Sequence, residues 1–261
     1  MERLKIIIRY IIYYFNSKNK HYIHSPFIYH LVTEVINKKK RLPIYTEIEN
    51  LKRNLCKIKR EINITDYGAG SNINNSSKRK IKDIARNSSK NSKYGRLLHR
   101  LVKHYKPKNI LELGTSLGIS TCYIAEGNRN AKVYTIEGCP ETANTAKENF
   151  NQLNINNIQT IIGNFDDTLE GLLKKLQHLD LVFIDGNHRK RPTIEYFKKC
   201  LDYANNNTIF IFDDIHWSTG MQDAWKEIQA NTSVTATVDL FYIGIVFIKK
   251  ELSKEHFIVR F

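Results

Sequence analysis

Cysteine is scarce and unpatterned in these 261 residues. Cys56, Cys122, Cys139 and Cys200 stand apart, with no CxxC pair and no histidine at zinc-finger intervals. That excludes a disulfide framework or a structural zinc site as the organising device, and a reducing cytoplasm fits. Long apolar runs are missing too. Residues 6–15 (IIIRYIIYYF) are interrupted by Arg9, are followed by no small-residue cleavage site, and are too short for a bilayer core of about 30 Å. They read as an amphipathic or buried helix, with peripheral attachment to a membrane surface as the alternative. Acidic residues are short at the front: residues 1–100 hold 23 Lys/Arg against 7 Asp/Glu, whereas residues 101–261 hold 18 against 19. A basic front suits a nucleic acid, a membrane surface or an acidic substrate, although a general bias towards Lys, Asn and Ile explains it equally well. The GxGxxG and GxxxxGK[ST] phosphate motifs are absent, which disfavours NAD and ATP.

What is present falls into two parts. Residues 1–88 form a basic, mostly helical extension, with helices expected near 3–15, 26–37 and 46–61. Ser25 can cap the second helix, with Pro26 in its first position. Residues 71–93, rich in Asn, Ser, Lys and Arg, read as a loop or a short basic helix around 78–86. The glycine motif Asp66 to Ser71 also reads as a loop, because no amphipathic helix follows it. From residue 89 to 261 short apolar runs alternate with amphipathic ones. Strands are expected at 109–113, 132–136, 158–162, 180–184, 208–212, 234–240 and 243–248. Repeated βα units demand an α/β fold with a parallel sheet, and the closely spaced last two strands demand a hairpin. A chain starting near Ser89 should therefore keep cofactor binding, leaving residues 1–88 for acceptor selection or association.

The first core strand runs into Leu111-Glu112-Leu113-Gly114-Thr115-Ser116-Leu117-Gly118-Ile119-Ser120. Gly114 and Gly118 permit a tight turn close to a ligand, while Ser116, Ser120 and the helix N-terminus offer donors to an anionic group. Glu137 ends the second strand, 23 residues after Gly114, where an acidic side chain can accept from both ribose hydroxyls.

These stretches, with YTIE, IIGN, FIDGNH and FDD, resemble a class I methyltransferase of the catechol and caffeoyl-CoA O-methyltransferase group. The first motif of that group, E-x-G-x-x-x-G-x-S, is matched by Glu112, Gly114, Gly118 and Ser120. The resemblance covers roughly residues 93–250. It implies a Rossmann-like seven-stranded sheet of order 3-2-1-4-5-7-6, and S-adenosylmethionine held by Glu112, Gly114, Thr115, Ser116, Gly118, Ser120, Glu137 and Asp185. It also implies that Asn164 and Phe165 lie beside the adenine.

The fourth and fifth core strands end in Asp185-Gly186-Asn187-His188 and Asp213-Asp214-Ile215-His216. Neighbouring strands of an open α/β sheet deliver their carboxyl ends to one crevice, and three carboxylates there repel unless a cation intervenes. Magnesium or a similar hard ion is the economical counter-charge. By resemblance Asp185, Asp213 and Asp214 take the metal positions, with Asp214 replacing a frequent Asn. His188 stands where the catechol-type enzymes carry a catalytic lysine; an imidazole suits a base there, with His216 as rival base or further ligand. The expected activity is cation-dependent methylation of a small hydroxylated acceptor, by a monomer or a homodimer. The alternatives are a nucleic-acid methyltransferase, against which stands the absence of an NPPY-like motif, and a non-catalytic cofactor- or partner-binding protein.

Overall fold

A computed structural model describes residues 2–65, 78–87 and 91–261. The Asp66 to Ser71 motif and most of the loop expected over 71–93 lie outside the described residues. In chain order the elements are α1 (Glu2–Asn16), α2 (Pro26–Leu31), α3 (Pro43–Leu55), β1 (Glu61–Asn63), β2 (Lys78–Lys80), α4 (Ile81–Asn87), α5 (Ser92–Tyr105) and β3 (Asn109–Leu113). The alternation that follows is α6 (Ile119–Gly127), β4 (Lys132–Glu137), α7 (Pro140–Gln152), β5 (Ile158–Ile162), α8 (Phe165–Leu176), β6 (Leu179–Ile184) and α9 (Lys190–Leu201). The chain ends with β7 (Ala204–Asp213), α10 (Thr219–Ala230), β8 (Ala236–Asp239), β9 (Ile243–Phe247) and β10 (Glu255–Ile258).

The fold is Rossmann-like α/β, and it divides into two units. Residues 39–176 carry β3, β4 and β5, where β4 pairs in parallel with both neighbours. That is the 3-2-1 half of the expected order. Residues 1–38 and 177–261 carry the other half in the order β6-β7-β9-β8-β10. Here β6 and β7 are parallel, and β9 is antiparallel to both β7 and β8. The expected 4-5-7-6 arrangement is present, with one strand added. β10 pairs in parallel with β8 and occupies an edge that would otherwise present unpaired backbone groups.

The boundary expected at residue 88 coincides with neither unit, because residues 1–38 group with 177–261 and residues 39–88 with the rest of 39–176. Apolar burial accounts for this. Tyr13, Ile28, Leu31 and Val32 are buried in the first unit, and Tyr45, Ile48 and Leu51 of α3 in the second. Ser25 does cap α2, with Pro26 in its first turn, and Phe27 packs edge-on against Phe247 with centroids 5.0 Å apart. Among the described residues no helix is long and apolar enough to cross a membrane.

Candidate active site

In the 39–176 unit the chain leaves β3 through Gly114 at φ 107°, passes Ser116 at φ 49°, and enters α6 from Gly118 at φ 78°. Gly118 is required twice over. Its φ lies in the left-handed region, and a Cβ there would sit 2.4 Å from the Phe150 ring. The turn is fixed from outside by Asn149, which donates to the Leu117 carbonyl at 2.9 Å. Glu137, at the end of β4, is locked by two backbone donors: Ser116 N–H to one carboxylate oxygen at 2.8 Å and Cys139 N–H to the other at 3.0 Å.

Beneath the turn lies a polar strut. Glu112 is fully buried, and its Oε2 accepts from the hydroxyls of Thr121 and Thr135, both at 2.6 Å; the Thr135 hydroxyl also meets that of Thr115 at 2.6 Å. Oε1 of Glu112 is buried with no hydrogen-bond partner. Burial pushes this carboxyl up to about 7 despite the two hydroxyl donors, which pull the other way. Glu112 and Thr115 thus carry the turn from below, whereas Ser116, Ser120 and Glu137 are half-exposed at its rim. Asn164 and Phe165 begin α8: the Asn164 carbonyl accepts from the Thr168 hydroxyl at 2.7 Å, and Phe165 is half-exposed.

The other unit supplies the carboxylates. Asp185 follows β6 and Asp213 ends β7; with His188 they form a group whose ligand atoms all lie within 4.8 Å of one another. Asp213 is only 1% exposed. His188 Nε2 stands 3.8 Å from Asp185 Oδ1. Among the described residues this group leaves out Asp214, which turns at φ 54° immediately after the strand. Asn187, between Asp185 and His188, is likewise left-handed at φ 58°. Non-glycine residues held in this region mark loops whose surroundings over-determine them.

His216 is held differently. Its Nε2 lies 2.7 Å from Asp239 Oδ2, its Nδ1 lies 3.2 Å from Gln222 Nε2, and its ring stacks on Phe241 at 5.2 Å and 11°. Asp239 also accepts the Phe241 N–H at 2.8 Å. Around this pair α1 closes the loop. Arg9 donates to the carbonyls of His216 (3.3 Å) and Trp217 (3.0 Å) and to the Thr219 hydroxyl (3.0 Å). Tyr10 and Tyr13 pack against Phe241 at 5.0 and 5.4 Å, and the Tyr13 hydroxyl donates to the Val259 carbonyl at 2.5 Å.

A family model described as a methyltransferase domain matches residues 111–215, the stretch from the strut under the glycine turn to the loop after β7. That stretch is similar to a methyltransferase domain. The chain is 32% identical over 124 residues to a catechol O-methyltransferase of Niastella koreensis, a match covering 46% of this chain and 55% of that protein. A catechol O-methyltransferase of Mycobacterium tuberculosis is 28% identical over 123 residues, with 46% and 54% covered. The chain thus spans about half the length of the curated relatives it matches. Among solved structures, the SAH-bound methyltransferase of Podospora anserina superposes with a TM-score of 0.60 at 17% identity, over 86% of this chain and 97% of that one. The SAH complex of the Bacillus cereus O-methyltransferase gives 0.55 at 20% identity, over 84% and 96%. Both likenesses speak to the methyltransferase fold.

The structure brings Asp185 and Asp213 together, His188 joins them as a potential ligand, and His216 belongs to a separate cluster. The sequence reading missed Thr121, Thr135, Asp239 and Arg9. Thr135, in the YTIE stretch, carried no signal by itself. Arg9 did: it is the one cation that interrupts the apolar run of residues 6–15.

Proposed function

We propose that the chain transfers a methyl group from S-adenosylmethionine to a hydroxyl oxygen of a small acceptor, with a divalent cation held by Asp185, Asp213 and His188. The observation that carries this reading is the grouping of two carboxylates and an imidazole within 4.8 Å, about the spread kept by ligands of one ion with bonds of about 2.0–2.6 Å. The name of the Niastella koreensis relative supports a hydroxyl acceptor. A purely carboxylate set would suit magnesium; an imidazole donor widens the choice towards manganese or iron.

The residues divide the work. Backbone N–H groups at the start of α6 bind the carboxylate of the methyl donor. Glu137, fixed by Ser116 and Cys139, accepts from the ribose hydroxyls, and Asn164 and Phe165 flank the base. S-adenosylmethionine supplies an already activated methyl, so what remains is to align an oxygen in line with it and make that oxygen more anionic. Asp185, Asp213 and His188 would hold the cation, which would supply Lewis acidity towards the acceptor hydroxyl. Asp185, Asp213 and His188 hold and orient the acceptor end.

The 3.8 Å approach of His188 to Asp185 favours a second, metal-free reading in which the carboxylate steers His188 as general base. One assay separates them: transfer of labelled methyl to catechols, other phenols, sugar hydroxyls and lipid headgroups, after exhaustive chelation and after return of magnesium or manganese. Turnover lost on chelation and restored by the ion supports the first reading; full turnover without metal replaces it by the second. RNA belongs in the same panel at two salt concentrations, since phosphate contacts weaken steeply with salt.

A further inference from the structure

The protein-facing side of α1 is anchored by Arg9, Tyr10 and Tyr13, which fixes which side of the helix looks outward. Leu4, Ile7, Ile8, Ile11, Ile12 and Phe15 look outward; all are exposed, Phe15 to 80%. At 3.6 residues per turn these six positions cover an arc of about 140° with no charged residue inside it. That is wider than the narrow seam which one partner helix covers in a coiled coil. The margin of the arc is aromatic and cationic. Tyr14 is exposed, with the Arg260 guanidinium 4.2 Å over its ring; Lys5 is exposed on the helix, and Lys18 just beyond its end. Residues 1–20 carry five Lys/Arg and one Glu, and of the five Arg9 is turned to the protein.

We propose that α1 docks this methyltransferase onto an anionic lipid surface, lying in the plane of the interface with its six apolar side chains among the acyl chains. Breadth of the apolar face, aromatic residues at its edge and surrounding cations are what such a surface recognises. The 15-residue helix is too short to span, so the attachment is peripheral. Charge decides against a second copy as the occupant, because face-to-face pairing of α1 would oppose two clusters of like charge. The proposal is independent of the acceptor. It bears on the loop after β7 through Arg9, since the same helix that meets the lipid holds the His216 and Trp217 carbonyls.

The test is sedimentation of the full chain with vesicles of phosphatidylcholine alone and with about 30 mol % phosphatidylserine, at low and high salt. The expected result is binding to the anionic vesicles, weakened by salt and reduced at least roughly tenfold by the double substitution Ile8→Asp/Phe15→Asp. Both positions are exposed, so the melting temperature should not move. Should the double variant fold poorly, Ile11→Asn alone should still weaken binding severalfold. Absence of binding to anionic vesicles, or variants that bind as well as the parent, would overturn the proposal. So would light scattering that shows a dimer dissolved by Ile8→Asp/Phe15→Asp with no vesicle binding, which would give the face to a second copy.

Discussion

The turn after β3 and the loops after β6 and β7 solve different problems with different parts of the chain. The turn is made of backbone: Gly114 and Gly118 set its path, and side chains such as Asn149, Glu112 and Thr115 brace it. The Asp185–His188–Asp213 group is made of side chains, and its chemistry depends on where three flexible groups point. A site of the first kind that loses a single side chain at its rim loses affinity but keeps its rate at saturating donor, whereas one of the second kind loses its function with any member. Asp185→Ala should therefore have the largest effect, a fall in turnover of about 10³-fold, or ~4 kcal/mol of transition-state stabilisation, with affinity for the methyl donor kept within about tenfold. Parallel measurement of turnover and of calorimetric donor affinity checks it; a donor affinity that collapses together with the rate would erase the division of labour between the two regions.

The converse test is Glu137→Ala. Its carboxylate is held by two backbone N–H groups and is assigned to the ribose, so the variant should weaken donor binding by about 1.5–3 kcal/mol. The rate at saturating donor should change far less. Unchanged affinity in calorimetry would move the donor away from this rim.

The strut beneath the turn should be visible as a pH effect on stability. Desolvation raises Glu112 in the folded state to about 7, above its unfolded value. Between the unfolded pKa and pH 7 the unfolded chain has released a proton that the folded chain keeps, so stability falls as pH rises through that window and levels off beyond it. Glu112→Gln keeps the shape and an acceptor for the Thr121 and Thr135 hydroxyls but cannot ionise. Relative to the parent it should gain stability from pH 5 to pH 8, on the order of 2 kcal/mol, as denaturant unfolding at the two pH values would read. Identical pH dependence in parent and variant would remove Glu112 as the source.

The contrast also explains what the sequence discloses. A turn that only glycine can make leaves a spaced glycine pattern, and β3 at 109–113 and β5 at 158–162 fall where the apolar runs put them. Strands without such runs stay hidden: β10, with its exposed Glu255 and His256, is stabilised by pairing with β8 rather than by its own pattern. The short, largely exposed pair β1 and β2 is another case. Side-chain direction is hidden as well. Three acidic residues at two strand ends predict a cluster, but whether His188 or Asp214 completes it depends on the left-handed turns at Asn187 and Asp214. The partner of His216 lies 23 positions away on β8, and no spacing rule points to it.

His216 sharpens the comparison by falling on neither side of it. Both of its ring nitrogens are engaged, with Asp239 and with Gln222, and its ring is stacked on Phe241, so a proton taken from an acceptor would have to displace one of these contacts. Asp239 in turn is buried and accepts the Phe241 N–H, and the loop carbonyl of His216 is gripped by Arg9. This arrangement assigns His216 to holding the loop after β7 in shape. A general base removed from an active site lowers the rate about 10²- to 10⁴-fold. His216→Ala should instead lower turnover by less than about tenfold, while costing about 1–3 kcal/mol of stability because Asp239 loses its partner in a buried setting. Rate and unfolding measurements on one preparation decide it. A thousandfold loss of turnover at unchanged stability would return His216 to the role of base and leave His188 free to serve the cation alone.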